Sequence, residues 1–411
     1  MEKIISSVFE KEEFLIQKLK KDINSSWEWK NIFERKIEID DFKIVWFAWL
    51  RWVWKTTFLL QQKLKNKNSL YISLDDLVLK NVNIFELIKE ISKAYNINIF
   101  YLDEIQFLKD WENILKNIYD FLDVKIIFTG SSMIDLTKWA VDLSRRVILS
   151  KINIFSFLEY EKFYSNEIEK ISFKEIFENS FLFSKQQSSN ISLLRFKKYL
   201  EFGQFGYFFE NSDERIFKKL LQNSIRKSIY EDLVKFVDIH TTNISKIEDL
   251  LIFIASSVSS KITVNSLANK TWLSNVTVEW YLKYLEKLGW IIVLSKFWWV
   301  WENIRKERKI YLSNTAILYI FSYNLLDESV FIWNIRETFV VSSLYNLKEK
   351  YNFEIFFKLR TDIILVFNSW EKIELEIWWK NKSRNDVFVV KDDILIWDKK
   401  SIPLWMFWVL D

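Results

Sequence analysis

The chain has no cysteine, one proline, one histidine and four glycines in 411 residues. The missing cysteines exclude disulfides and thiolate metal sites, and the lone His240 excludes a histidine-cluster metal site. No uncharged apolar run reaches the ~18 residues of a membrane span, so no membrane partner is expected. The opening MEKIISSVFEKEEF carries acids early and has no apolar leader core, so no secretory signal is expected. A net charge of +4 is too mild to imply a nucleic-acid partner by itself. A cytoplasmic protein of two or three domains fits these limits.

The shortage of glycine is matched by an excess of tryptophan, 4 against 21. Together they fill about the ~7% share that glycine ordinarily takes alone. A gene whose UGA codons mean glycine, translated with a table that reads UGA as tryptophan, gives this inversion. Positions agree. Trp370 lies in NSWEK between apolar runs, where a hairpin wants NSGEK. Trp397 precedes Asp398 and a lysine pair, Trp298, Trp299 and Trp301 crowd a loop, and Trp378 and Trp379 follow a strand. Such sites want positive φ or no side chain. Trp111 at the start of an amphipathic helix and Trp405 in IPLWMF suit genuine tryptophan. Most of the 21, though not all, read as intended glycine.

An amphipathic helix is expected over 8–25, with Phe9, Phe14, Leu15 and Leu19 on one side. Strands are expected at 42–48, 69–76, 97–104, 124–132 and 145–152. Helices are expected from Lys55 to about Lys65, over 83–95 and over 111–122. Strand alternating with helix means a parallel, doubly wound α/β sheet, ending near residue 165. Residues 166–325 read as a helical and winged helix-turn-helix domain. Its second helix starts at Ser274 and a strand follows Gly289, with Asn275 and Thr277 placed to read bases. Residues 326–411 read as a small α/β domain of short strands.

The strand at 42–48 runs into Trp49-Leu50-Arg51-Trp52-Val53-Trp54-Lys55-Thr56-Thr57. With glycine at 49 and 54 this fits the phosphate loop G-x-x-x-x-G-K-S/T between a strand and a helix. Backbone N–H groups of such a loop cradle phosphate oxygens, helped by the positive helix end. Lys55 would reach the β- and γ-phosphates of ATP, and Thr56 and Asp103 would hold Mg2+. Glu104, next along the third strand, would orient the attacking water and take its proton. Ser131, after the fourth strand, is the candidate γ-phosphate sensor. Arg145 and Arg146 are candidates for an arginine finger, within the chain or toward a neighbour.

With these residues in place, the chain resembles bacterial and archaeal AAA-type ATPases that carry a helix-turn-helix and a restriction-nuclease-like C-terminal domain of unknown function. WLRWVWKTT, once restored, is similar to their G-x-R-x-V-G-K-T-T loop. YISLDD, YLDEIQ, FTGSS, FSFLEY, RKIYLSNTAIL and LEIWWKNKS follow in the family's order over essentially the whole chain. LSRRV gives Arg146 the family arginine, with Arg145 departing from glycine. The resemblance implies an ATPase coupled to a winged-helix and a C-terminal binding domain. In the nuclease-like part Glu337, Asp362, Glu374, Glu376 and Lys380 are the candidates, but Lys380 stands two residues late for an E-x-K. Rival functions are a nucleotide-gated DNA-binding regulator and a Mg2+-dependent nuclease. DNA at the winged helix, and a protein partner or second copy of the chain, are the partners considered.

Overall fold

The computed structural model describes residues 1–24, 35, 37, 39–48, 54–130, 143, 145–164, 166–178, 180–206, 208, 213–229, 244–257, 262–297, 308–322, 325–358, 361–377, 387–398 and 400–410. Two compact units divide the chain, Met1–Ile154 and Phe155–Asp411. Among the described residues no helix is long and apolar enough to cross a membrane.

The first unit is built on strands β1 (Ile44–Ala48), β2 (Ser69–Ser73), β3 (Ile99–Asp103), β4 (Lys125–Gly130) and β5 (Ile148–Lys151). They pair in the order β2-β3-β4-β1-β5, all parallel. Helices α1 (Glu2–Asn24), α2 (Lys55–Lys65), α3 (Ile84–Tyr95) and α4 (Trp111–Phe121) accompany them. Strands β1 to β4 are short apolar runs, mostly buried, as strands covered on both faces are, whereas β5 at the sheet edge is partly exposed, Leu149 by 39%. In α3 the apolar side chains recur at Ile84, Leu87, Ile88 and Ile91, and all four are fully buried. Each contributes roughly 1.5–3 kcal/mol of burial. Asn83 caps α3 by accepting a hydrogen bond from Glu86 N.

The stripe of α1 differs from expectation. Ile5, Val8, Glu12 and Leu19 are buried, while Phe14 is exposed. Residues 5, 8, 12 and 19 follow the helical period, and Phe14 falls off it.

The second unit pairs its strands as β12-β11-β10-β9-β8-β6-β7. These are β6 (Ile291–Lys296), β7 (Arg308–Leu312), β8 (Phe353–Lys358), β9 (Thr361–Phe367), β10 (Lys372–Ile377), β11 (Phe388–Lys391) and β12 (Ser401–Pro403). This sheet is mixed. Strands β8, β9 and β10 form an antiparallel meander, whereas β11 joins β10 in parallel. Helices Val264–Thr271 and Asn275–Lys287 stand next to each other in sequence, and the antiparallel pair β6–β7 comes after them. That pair belongs to the seven-stranded sheet, so one sheet draws strands from both sides of residue 325.

Tryptophan occupies left-handed backbone at three described positions. Trp54 has φ 59°, Trp272 φ 58° and Trp370 φ 66°. Trp272 ends a helix, its N–H donating to Ala268 O. Trp370 closes the β9–β10 turn, its N–H donating to Phe367 O at 2.8 Å. Helix ends and hairpin turns of this kind ordinarily take glycine. By contrast Trp111 and Trp405 are buried, Trp111 packing against Trp46 and Phe128.

Candidate functional site

Parallel strands point their carboxyl ends to one edge of the sheet, where β1, β3 and β4 deliver their last residues side by side. Ala48 ends β1, and α2 begins seven residues later. Of the loop residues, Trp49, Arg51, Trp52 and Val53 lie outside the described residues. Trp54 precedes α2 in its left-handed conformation and makes no side-chain cap.

The next residues of α2 turn back to the sheet. The buried Lys55 ammonium donates to Gly130 O at the end of β4, at 3.1 Å. Thr56 Oγ1 donates to Asp103 Oδ2 at 2.6 Å. Thr57 lies in the same first turn of the helix.

Asp103 ends β3 and is buried. Besides Thr56, it accepts hydrogen bonds from Tyr71 OH at 2.9 Å and from Thr129 Oγ1. Three hydroxyls from α2, β2 and β4 thus fix one carboxylate. Burial, followed by the charge of Asp103, pushes the Tyr71 phenol far above its ordinary range, so it stays a donor.

Glu104 comes next, in left-handed backbone, φ 58°, its N–H donating to Thr129 Oγ1 at 3.2 Å. The Glu104 carboxylate accepts from the Gln106 amide. Gly130 lets the end of β4 pack closely against the turn after Glu104. A Cβ there would meet Ile105 Cγ2 at 3.2 Å, tighter than ordinary contact.

Lys55, Thr56, Asp103 and Glu104 are therefore brought together. Ser131 lies outside the described residues, and the polar strand-end residue in contact with the acids is Thr129. Arg146 is not brought to this edge. Its Nε and Nη2 donate to Asp120 at 3.2 Å each, and its guanidinium lies 5.8 Å from the Tyr119 ring centre. Tyr119 O also accepts from Lys43, which precedes β1, so Arg146 sits at the amino-terminal edge of the sheet. This corrects the expectation of a finger acting within the chain.

Sequence reasoning missed Tyr71, Thr129 and Gln106. Tyr71 and Thr129 lie on strands flanking β3, so strand adjacency was the missing signal.

A second charged cluster lies in the other unit. Lys309 Nζ donates to Glu337 Oε1 at 2.9 Å and lies 3.8 Å from Asp362 Oδ1. Tyr311 OH donates to Glu337 Oε1 at 3.1 Å, and Ile377 N to Asp362 Oδ2 at 2.8 Å. Burial, then the neighbouring Glu337, pushes the Asp362 carboxyl up to about 6, with the Ile377 N–H and Lys309 opposing. Glu376 is buried, while Glu374 is turned to Lys358 and Thr361 at 2.6 and 3.0 Å. Lys380 and His240 lie outside the described residues. Among the described residues no three acids, histidines or cysteines are placed to hold a metal ion. The cation in this cluster is Lys309, which no pattern in the sequence singles out.

Of the consecutive helices Val264–Thr271 and Asn275–Lys287, the second is capped by Ser274, which accepts from Thr277 N at 3.1 Å. Glu279, on the same helix, accepts from Arg308 at 2.6 and 3.0 Å.

Comparison with known proteins matches two separate stretches of the chain. Residues 41–161 match the AAA domain family, and residues 193–325 match a domain of unknown function (DUF8612). An uncharacterized protein of Methanocaldococcus jannaschii is 26% identical over 381 residues, covering 87% of this chain and 80% of the relative. A second uncharacterized protein of that organism is 28% identical over 325 residues, covering 74% of this chain and 69% of the relative. Among solved structures, a replication initiator DnaA bound to AMPPCP and single-stranded DNA is similar at 15% identity and a TM-score of 0.28. That match covers 60% of this chain and 82% of the other. Residues 41–161, which carry the parallel sheet and the residues gathered at its carboxyl edge, are thus similar to the AAA domain family.

Proposed function

We propose that the chain binds ATP with Mg2+ at the carboxyl edge of the first sheet and hydrolyses it. The observation that carries this is the convergence of Lys55, Thr56, Asp103 and Glu104 at the start of α2 and the end of β3. The donor set suits the ligand. Thr56 and Asp103 offer hard oxygens for Mg2+, and Lys55 offers a point charge for phosphate. Bound Mg2+ would supply charge neutralisation on the phosphates. Asp103 is oriented by Tyr71 and Thr129, and Glu104 is the carboxylate that would orient water and accept its proton. Thr129 or Ser131 would report on the γ-phosphate, and Arg146 would serve a neighbouring copy, not its own site.

We also propose that positions 49, 52 and 54 carry glycine in the working protein. The left-handed backbone at Trp54 supports this, because a bulky ring there crowds the cradle that a triphosphate needs. Nucleotide state would then be passed to the helix-turn-helix and the C-terminal segment, as an ATPase with binding domains attached. For the strands after residue 326, the meander β8–β10 with parallel β11 supports a nuclease-like layout, while Lys309 among the acids favours binding or assembly over metal-dependent cleavage.

The test is ATP binding and turnover by a variant combining Trp49→Gly, Trp52→Gly and Trp54→Gly. It is expected to bind ATP, whereas the chain as written binds at least about tenfold more weakly. Adding Lys55→Ala should remove binding. Adding Glu104→Gln should keep binding and lower turnover about 10²–10⁴-fold. A restored protein with no affinity for ATP sinks the reading; one that binds tightly without turnover favours the nucleotide-gated DNA-binding regulator.

A further inference from the structure

The turn that follows β3 holds Glu104 at both its main chain and its side chain. The residue has left-handed backbone, φ 58°, which a residue with a Cβ adopts where its surroundings impose it. Thr129 Oγ1 accepts the Glu104 N–H at 3.2 Å. Phe107 N donates to Glu104 O at 3.1 Å and closes the 3-10 turn Ile105–Phe107. The buried Ile105 fastens that turn to the end of β4, beside Gly130.

The middle residue of the turn is Gln106, and its amide reaches back to the acid. Its Nε2 donates to Glu104 Oε2. A carboxylate can only accept, so the nitrogen must be the end of the amide that faces it. The amide oxygen lies 3.5 Å from where a Cβ on Gly130 would stand. Gly130 O is the acceptor of the Lys55 ammonium. Gln106 thus spans from the acid at 104 to the strand end that holds Lys55.

The other carboxylate oxygen, Glu104 Oε1, has no hydrogen-bond partner among the described residues. This division suits a base. One oxygen is fixed and sets the direction of the group, and the other keeps a lone pair for a water proton. Thr129 reaches the main chain of Glu104, whereas Gln106 is the described side chain that reaches its carboxylate.

We propose that Gln106 is a positioning residue for ATP hydrolysis: its amide orients the Glu104 carboxylate by Oε2 and leaves Oε1 to the attacking water. This inference rests on the nucleotide reading above and adds to it the group that aims the base.

The test is ATP affinity and single-turnover hydrolysis by the full chain carrying Trp49→Gly, Trp52→Gly and Trp54→Gly. Adding Gln106→Ala should slow hydrolysis about 10–10²-fold and change ATP affinity less than about twofold. Gln106→Met keeps the length of the side chain and removes the donor. It should behave alike, and it decides the matter where the alanine disturbs the turn. In a chain that also carries Glu104→Gln, either change should alter the rate less than about twofold, because residues that act as one unit do not add. Equal losses with and without Glu104→Gln overturn the proposal, since Gln106 would then act on the frame of the site. An unchanged rate overturns it, as does a faster one, which would mean that the amide parks the carboxylate. Loss of ATP affinity in both Gln106 variants overturns it too. Each of these results leaves the parent chain active and sinks this inference alone. A parent chain that binds no ATP, or binds it without turnover, sinks the hydrolysis reading first and this one with it.

Discussion

Left-handed backbone is where this chain disagrees most with its own residues. Asn96, Asp110 and Asn352 tolerate that conformation, but Trp272 and Trp370 have no side-chain reason to adopt it. Both rings are more than four-fifths exposed, so removing them loses little packing. Trp272→Gly and Trp370→Gly should therefore each stabilise the protein by about 1 kcal/mol. Urea unfolding reads this directly, and a lowered midpoint would contradict it. Asp362 supplies a pH dependence of its own. Its carboxyl ionises near 6 in the folded chain, above the ordinary 3.8. The folded state holds the proton more tightly, so this contribution is complete below pH ~4 and is lost as pH rises through ~6. It amounts to up to about 3 kcal/mol. Asp362→Asn should abolish that segment of the stability profile, and the variant should gain on the parent between about pH 4 and 6. An identical profile for both proteins would refute the assignment.

Between elements, one ion pair joins two helices of the second unit. Glu161, on the helix Phe157–Lys162, is fully buried and accepts Arg195 Nε and Nη2 from the helix Leu193–Lys198 at 2.9 and 2.8 Å. Arg195→Ala would strand that carboxylate and should cost about 3 kcal/mol, the lower end for a broken buried pair, because the guanidinium is about a third exposed. Glu161→Gln with Arg195→Ala should recover part of this loss in the same unfolding assay. Elements of this kind were legible to different degrees. The five strands and four helices of the first unit announced themselves, because apolar runs and helical stripes are local patterns. The site acids at 103 and 104 were legible too, as a pair ending an apolar strand. Tyr71, Thr129 and Lys309 were not. Each matters through a partner on another strand or helix, and a single sequence carries no record of which strands lie side by side. Phe14 misled for a simpler reason: hydrophobicity alone does not fix phase on a helix.

At the scale of the whole molecule, the first unit contains every described residue of the proposed nucleotide site. Residues 1–154, expressed alone, should unfold in one cooperative transition. Gradual, non-cooperative melting of that piece would show that it depends on residues 155–411 for its stability. The order β2-β3-β4-β1-β5 has a further consequence. Strand β1 emerges first, yet its only neighbours are β4 and β5. During synthesis it must wait for residues 125–130 before it can pair, some eighty positions downstream. A nascent chain released before Gly130 carries Ile44–Ala48 with neither of its ladder partners, an apolar edge open to aggregation and to the cell's chaperones.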